Sequence, residues 1–230
     1  MEETRRRTLH GRRRGKKLRV GQQSLLDTLL PRLALALPAE PHKIDLARVF
    51  GGRLPPDGVW LEIGFGAGEH LVWQAEQHPD VGLIGCEPYL NGVAKCLAHI
   101  ERTAAGNIRL FTDDARLVMA ALPDRSLGRV FVLFPDPWPK TRHHKRRFVQ
   151  RATLDRLAEL MVPGAELRLA TDDPSYLPWM VEHACTHPAF EWLAEGPADW
   201  RGRAADWPAT RYEKKQLAGT PTFLRLRRRD

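Results

Sequence analysis

A chain of 230 residues with 43% hydrophobic content is long enough for one sizeable α/β domain with extensions. It holds no apolar run near the ~20 residues of a membrane-spanning helix. Its net charge of +8 is uneven: residues 1–19 carry nine Arg or Lys against two Glu, a net of +7, which leaves the remainder at +1. Basic groups clustered on a nearly neutral body fit a polyanionic partner. Cys86, Cys96 and Cys185 are widely spaced, with no C-x-x-C. They read as reduced thiols of a cytosolic protein. The Arg-rich start has Glu2, Glu3 and no Ser before Ser24, unlike a transit peptide.

Residues 1–19 read as a basic, disordered tail, followed by a single domain over 20–230. Ser24–Leu37 is leucine-rich and helix-like, with a break at Pro31. Pro38–Asp57 is a Pro- and Gly-rich connector. Val59–Ile63 has the pattern of a strand buried on both faces. It runs through Glu62 into Gly64-Phe65-Gly66-Ala67-Gly68, after which Leu71, Val72 and Ala75 share a helix face. Glycines there allow a tight turn and close approach of the backbone to a ligand.

Val81–Cys86 is a second strand. It ends on Glu87, 19 residues after Gly68, where an acid can bind ribose hydroxyls. The next helix sets Leu90, Val93, Ala94, Leu97 and Ile100 on one face. A third strand, Ile108–Phe111, ends in Thr112-Asp113-Asp114. The fourth, Val130–Phe134, stops at Pro135, and Asp136 stands between Pro135 and Pro137. Trp138 follows, then Lys140, Arg142, Lys145, Arg146 and Arg147 with no acid among them. Acids thus close four successive strands, where ligands bind in an open parallel sheet. Such crowding is costly without a cationic or hydroxyl-rich ligand.

Leu154, Leu157, Ala158 and Met161 mark a helix stopped by Pro163-Gly164. Glu166–Ala170 is a fifth strand, with Asp172 and Asp173 at its end. A helix spans Pro174–His187. Phe190–Ala194 is a sixth strand. A loop with Trp200 and Trp207 leads to Thr210-Arg211-Tyr212-Glu213. Thr222–Arg228 alternates apolar and basic residues and closes an antiparallel hairpin. His183 and His187, at i and i+4 beside Cys185, have zinc-like spacing, but no further ligand is evident.

A nicotinamide dinucleotide wants G-x-G-x-x-G, whereas here His70 and Leu71 stand where the last glycine would fall. S-adenosylmethionine carries a sulfonium, an ammonium and a ribose diol but no phosphate. The acids favour it. LEIGFGAGEHL, GCEPYLNGV, FPDPWPKTRHHKRR, LATDD and TRYE, in this order over Leu61–Glu213, resemble the tRNA (guanine-N7)-methyltransferase family. The proline-rich basic block is the specific part.

The resemblance implies a Rossmann-like class I methyltransferase: a mostly parallel seven-stranded sheet with a C-terminal antiparallel strand and helices on both faces. It implies S-adenosylmethionine bound by Glu62, Gly64, Gly66, Gly68, Glu87, Asp114 and Asp136, with Asp136 also catalytic. It implies substrate binding by Lys140, Asp172, Thr210, Arg211, Tyr212 and Glu213, and tRNA contact by Arg142, His143, His144, Lys145, Arg146 and Arg147. The target would be a guanine N7, in the variable loop. Thr141 departs from the pattern, where a second Lys or Arg is expected. Trp138 can stack on the base or plug the core. Asp172 can read the guanine edge or cap a helix. No metal and no membrane partner are expected, and the sequence leaves monomer and homodimer open.

Three rivals are a dehydrogenase, an amino-group methyltransferase and a non-catalytic RNA-binding protein. The second uses D-P-P-Y, from which Asp136-Pro137-Trp138-Pro139 departs. The third would have no reason to keep the acids together.

Overall fold

The computed structural model describes residues 10–52, 58–209, 213 and 219–230. Short helices α1 (Val20–Thr28) and α2 (Leu30–Leu33) meet near Pro31, which sits at the start of α2. Proline is tolerated in a first helical turn, where its missing amide has no intrahelical acceptor. The expected connector contains one helical turn, α3 (Leu46–Val49), capped by Asp45. Residues 53–57 lie outside the described residues.

The body alternates strand and helix. In chain order it runs β1 (Val59–Ile63), α4 (Glu69–Gln77), β2 (Leu83–Cys86), α5 (Leu90–Thr103), β3 (Ile108–Phe111), α6 (Ala115–Ala121) and β4 (Leu127–Leu133). A 3-10 helix over Thr141–Arg146 precedes α7 (Arg151–Leu160) and β5 (Met161–Thr171). Then come α8 (Leu177–Met180), a π-helical stretch Val181–Cys185, β6 (Phe190–Trp192), α9 (Ala198–Arg201) and β7 (Thr222–Arg228).

The seven strands lie in the order β3-β2-β1-β4-β5-β7-β6. β1 to β5 are parallel, and β7 runs antiparallel between β5 and β6. The terminal hairpin is present, with its last strand inserted inside. Four strands depart from their expected bounds: β2 begins at Leu83, two residues late, and β4 runs Leu127–Leu133, starting three residues early and ending one early. β5 begins at Met161, so Pro163 and Gly164 lie within it at a register irregularity instead of ending a helix. That placement suits a proline, which a regular central strand excludes. β6 ends at Trp192, two residues early.

Alternation along the strands builds two cores. Leu61, Ile63, Val130, Val132, Leu167 and Leu169 face α6 and α7. Trp60, Phe131, Leu133, Leu83 and Phe223 face α4 and α5, where Leu71, Val93 and Leu97 are fully buried. Each fully buried Leu or Val contributes about 1.5–3 kcal/mol. α6 carries Val118 and Met119 into the first core. At two turns, its apolar pattern is too short to stand out in the sequence.

β1 is followed outward by β2 and β3, and β4 by β5 in the opposite direction. The carboxyl ends of β1 and β4 therefore flank the switch point where such sheets take ligands. The loop after β1 turns at Gly64 (φ 77°), Gly66 (φ 57°) and Gly68 (φ 83°). A Cβ on Gly68 would stand 2.4 Å from Cys96 Sγ. Gly68→Ala combines a left-handed backbone with that overlap and is expected to cost about 1–3 kcal/mol. Thermal unfolding should show a midpoint lower by about 3–10 °C; an unchanged midpoint would mean α4 and α5 separate freely.

Candidate active site

The cleft at the switch point has a volume of about 570 Å³ and is lined by Glu62, Gly64, Gly66, Glu87 and Asp136. A neighbouring cavity of about 220 Å³ shares Gly64, Glu87 and Asp136 and adds Asp113, Asp114, Trp138 and Arg146. Four expected cofactor acids, from four successive strands, thus meet along one cleft. Gly64 and Gly66 would meet nothing within 4 Å if they carried a Cβ, so their backbone forms an open floor. Gly68 does not line the cleft; it ends the loop and starts α4.

Each acid is held differently. Glu62 is buried within β1 and accepts from His70 Nδ1 at 2.8 Å. Glu87 accepts from the backbone of Gly66 and of Tyr89, both at 2.8 Å. Asp114 caps α6 through the Arg116 amide at 3.0 Å and pairs with the Arg116 guanidinium at 3.2 Å. Asp136 has no hydrogen-bonding partner among the described residues. Its loop is held taut at both sides: Phe134 (φ 50°) and Trp138 (φ 46°) are left-handed, an uncommon state for bulky residues.

Burial raises the Glu87 carboxyl above its ordinary value, and the nearby Asp136 and Glu62 charges add to it. The cleft walls desolvate the Asp136 carboxyl and push it up too. Both shifts penalise the ionised form, so the free protein loses stability as pH rises through these titrations. A cation in the cleft reverses the effect. This donor set fits S-adenosylmethionine: open glycine backbone, acids for hydroxyl and ammonium groups, and negative charge facing a sulfonium.

The basic run divides. Lys140, Arg142 and Lys145 are exposed. His143 packs edge-on to Trp138 and His144 to Trp179. Arg146 turns into the cleft, its guanidinium 5.0 Å from the Trp138 ring centre. Trp138 belongs to neither core; with Arg146 it walls the cleft beside Asp136. Arg147 departs from the expected RNA contact. It is 1% exposed, donates to the Pro137 carbonyl at 2.8 Å and to Ser175 Oγ at 3.2 Å, and covers Tyr176 and Trp179. A guanidinium so enclosed braces the Asp136 loop and has no face for a phosphate.

Asp172 is buried at the end of β5. Neither acid caps α8, whose N-cap is Tyr176; the neighbour Asp173 closes the turn before it, accepting from the Ser175 and Tyr176 amides. Lys140 and Asp172 line neither cavity. Glu213 pairs with Arg203. Thr210, Arg211 and Tyr212 lie outside the described residues. The imidazoles of the zinc-like spacing are engaged elsewhere, His183 with the Trp179 carbonyl and His187 with Asp155.

Two features of the site were not legible in the sequence. Residues 10–16, expected to be disordered, dock along the cleft. His10, Gly11 and Arg12 line it. The Arg13 carbonyl accepts from the Leu90 amide, its guanidinium pairs with Asp113, and Asn91 bonds Gly15 and Lys16. Residues 1–9 lie outside the described residues. The other feature is the pairing of His70 with Glu62, which no spacing in the sequence signals.

The fold and the acid-lined glycine floor define a class I, S-adenosylmethionine-dependent methyltransferase. A family described as "Putative methyltransferase" matches residues 57–224. A tRNA (guanine-N(7)-)-methyltransferase of Rhodospirillum rubrum is 54% identical over 96% of this chain and 87% of its own. That of Paramagnetospirillum magneticum is 52% identical over 95% and 92%. The solved structure of TrmN from Thermus thermophilus shares the fold at 17% identity, with a TM-score of 0.52 over 80% of this chain and 47% of that one. This chain belongs to the tRNA (guanine-N(7)-)-methyltransferase family. None of its described helices is long and apolar enough to cross a membrane.

Two outcomes follow from this geometry. Because Glu87 and Asp136 are raised in the free protein, binding the cationic cofactor should release protons. Its affinity should rise from mildly acidic to neutral pH, more steeply than that of uncharged-sulfur S-adenosylhomocysteine. Calorimetry in buffers of different ionisation enthalpy measures this, and equal slopes for the two ligands would contradict it. Arg147→Met should lower the thermal midpoint and leave the salt slope of tRNA binding unchanged, whereas Arg142→Ala should reduce that slope by about one.

Proposed function

We propose that this protein transfers a methyl group from S-adenosylmethionine to N7 of a guanine in tRNA, the variable-loop guanine, in the cytoplasm. The observation that carries the reading is Asp136: a carboxylate on a taut proline loop, lining the cofactor cleft, without a protein partner among the described residues. Glu62, Glu87 and Asp114 are each held by a hydrogen bond from the protein. Asp136 is left for a ligand.

S-adenosylmethionine, when bound, supplies an electrophilic methyl group on a sulfonium. Guanine N7 has a free lone pair and no proton, so no side chain has to act as a base. The product base is cationic. Asp136 therefore orients the guanine and offsets the developing charge, and the prolines beside it hold it there before the base arrives. Trp138 and Arg146 offer flat faces beside it on which a base can stack once it leaves its own stack. Lys140, Arg142 and Lys145 form the phosphate-facing side, which salt should weaken. Asp172 and the segment Thr210–Glu213 are assigned to the substrate on the family resemblance. Monomer and homodimer are equally compatible with a cleft built from one chain.

The test is methyl transfer from labelled S-adenosylmethionine to bulk unmodified tRNA, followed by digestion and identification of the nucleoside. 7-Methylguanosine is expected, and Asp136→Ala should remove it. Label on adenine or cytosine would overturn the reading. Asp136→Asn, which keeps shape but loses charge, should lower kcat about 10²–10³-fold with a residual rate flat across neutral pH. A residual rate steeply dependent on pH would contradict the orienting role.

A further inference from the structure

Glu62 places a carboxylate on an apolar sheet face. It follows Trp60 on that side of β1, next to Phe131 of β4, and is 4% exposed. An ion in such a place needs a hydrogen-bonding partner. α4 supplies one. His70 is 2% exposed, its Nδ1 lies 2.8 Å from Glu62 Oε2, and its ring packs edge-on to Phe131 at 4.6 Å. Both residues line the cofactor cleft.

The other ring nitrogen fixes the proton's position. His70 Nε2 lies 3.2 Å from Gln74 Nε2, one turn along α4. The same Gln74 nitrogen lies 3.0 Å from the Asp206 carbonyl oxygen. A carbonyl only accepts, so the group facing it is the amide nitrogen with its two hydrogens. One goes to Asp206 and the other to His70 Nε2, which must accept. The His70 proton is then on Nδ1 and is donated to Glu62. Reversing the amide would set two carbonyl oxygens against each other.

We propose that His70 is a positioning residue: as the Nδ1–H tautomer fixed by Gln74, it holds Glu62 in the cleft as an acceptor for an ammonium or hydroxyl group of the cofactor. The proposal rests on the S-adenosylmethionine reading of the cleft. It assigns a use to a histidine that is neither a metal ligand nor a base.

The test is calorimetric binding of S-adenosylhomocysteine to the full chain, together with thermal midpoints and steady-state kinetics. An Asn side chain can place its amide nitrogen where Nδ1 stands, whereas Gln reaches only the Nε2 position. His70→Leu and His70→Gln are expected to weaken binding about tenfold or more, the usual cost of a lost hydrogen bond to a charged group. His70→Asn should stay within about threefold of the wild type on the same scale. KM for the cofactor should rise in the first two variants, with kcat at saturation much less affected. Gln74→Met, which frees the ring without removing it, should fall between. If His70→Leu does not fold, the contrast between Asn and Gln decides. Equal losses in Asn and Gln, or no loss in either, would overturn the assignment. Wild-type protein that takes up no S-adenosylhomocysteine would instead overturn the cofactor reading of the cleft.

Discussion

Charge buried in one sheet face constrains this molecule more than any other feature. The face under α4 is built from Trp60, Phe131 and Leu133, yet it also carries Glu62 and Arg168. Neither ion can stand there alone, because an unpaired charge in such surroundings costs several kcal/mol. Glu62 is met by His70. Arg168 is met by Glu166 at 2.7 Å and Asp206 at 2.6 Å. Gln74 joins the two groups through the Asp206 carbonyl. A continuous polar path therefore runs from the cofactor cleft, under α4, to the loop after α9. Trp207, packed against Phe223, anchors the same loop.

The same requirement explains why acids and exposed cations are kept apart by a short proline loop. Acids crowd the cleft, as suits a cationic cofactor, whereas Lys140, Arg142 and Lys145 are exposed and line neither cavity. A flexible loop would let the two collapse into ion pairs. Pro135, Pro137 and Pro139 restrict that motion, and Arg147 holds the Pro137 carbonyl from behind. One cation of the run is spent on bracing the loop so that its neighbours Arg142 and Lys145 stay exposed.

Much of the fold was legible because β1 and β3 are short apolar runs with sharp ends, and their observed bounds coincide with those runs. The meeting of the acids at one cleft was legible for the same reason, since a buried strand that stops at an acid marks a sheet's carboxyl edge. What was not legible depends on direction. Arg142 and Arg147 are identical as letters in a basic run, but one faces solvent and the other fills a cage of Tyr176 and Trp179. Asp172 could cap a helix on paper, but the backbone turn gives the Ser175 and Tyr176 amides to Asp173 instead. Residues 10–16 are too polar to predict docking by burial. They are fixed by backbone groups and Asn91, which composition does not reveal.

The electrostatics of the cleft then order the acids by availability. Glu87 spends both oxygens on the backbone of Gly66 and Tyr89, so it fixes the glycine loop and the start of α5 together. Asp114 is committed to α6 and Arg116. Asp113, which would add to the crowding, is offset by Arg13 from the N-terminal segment. Glu62 retains part of its capacity, because His70 engages Oε2. Asp136 retains all of it among the described residues. A methyl transfer to a nitrogen that needs no deprotonation asks for that gradation: three acids held firm enough to shape the cofactor site, and a fourth kept rigid by its backbone and free at its carboxylate.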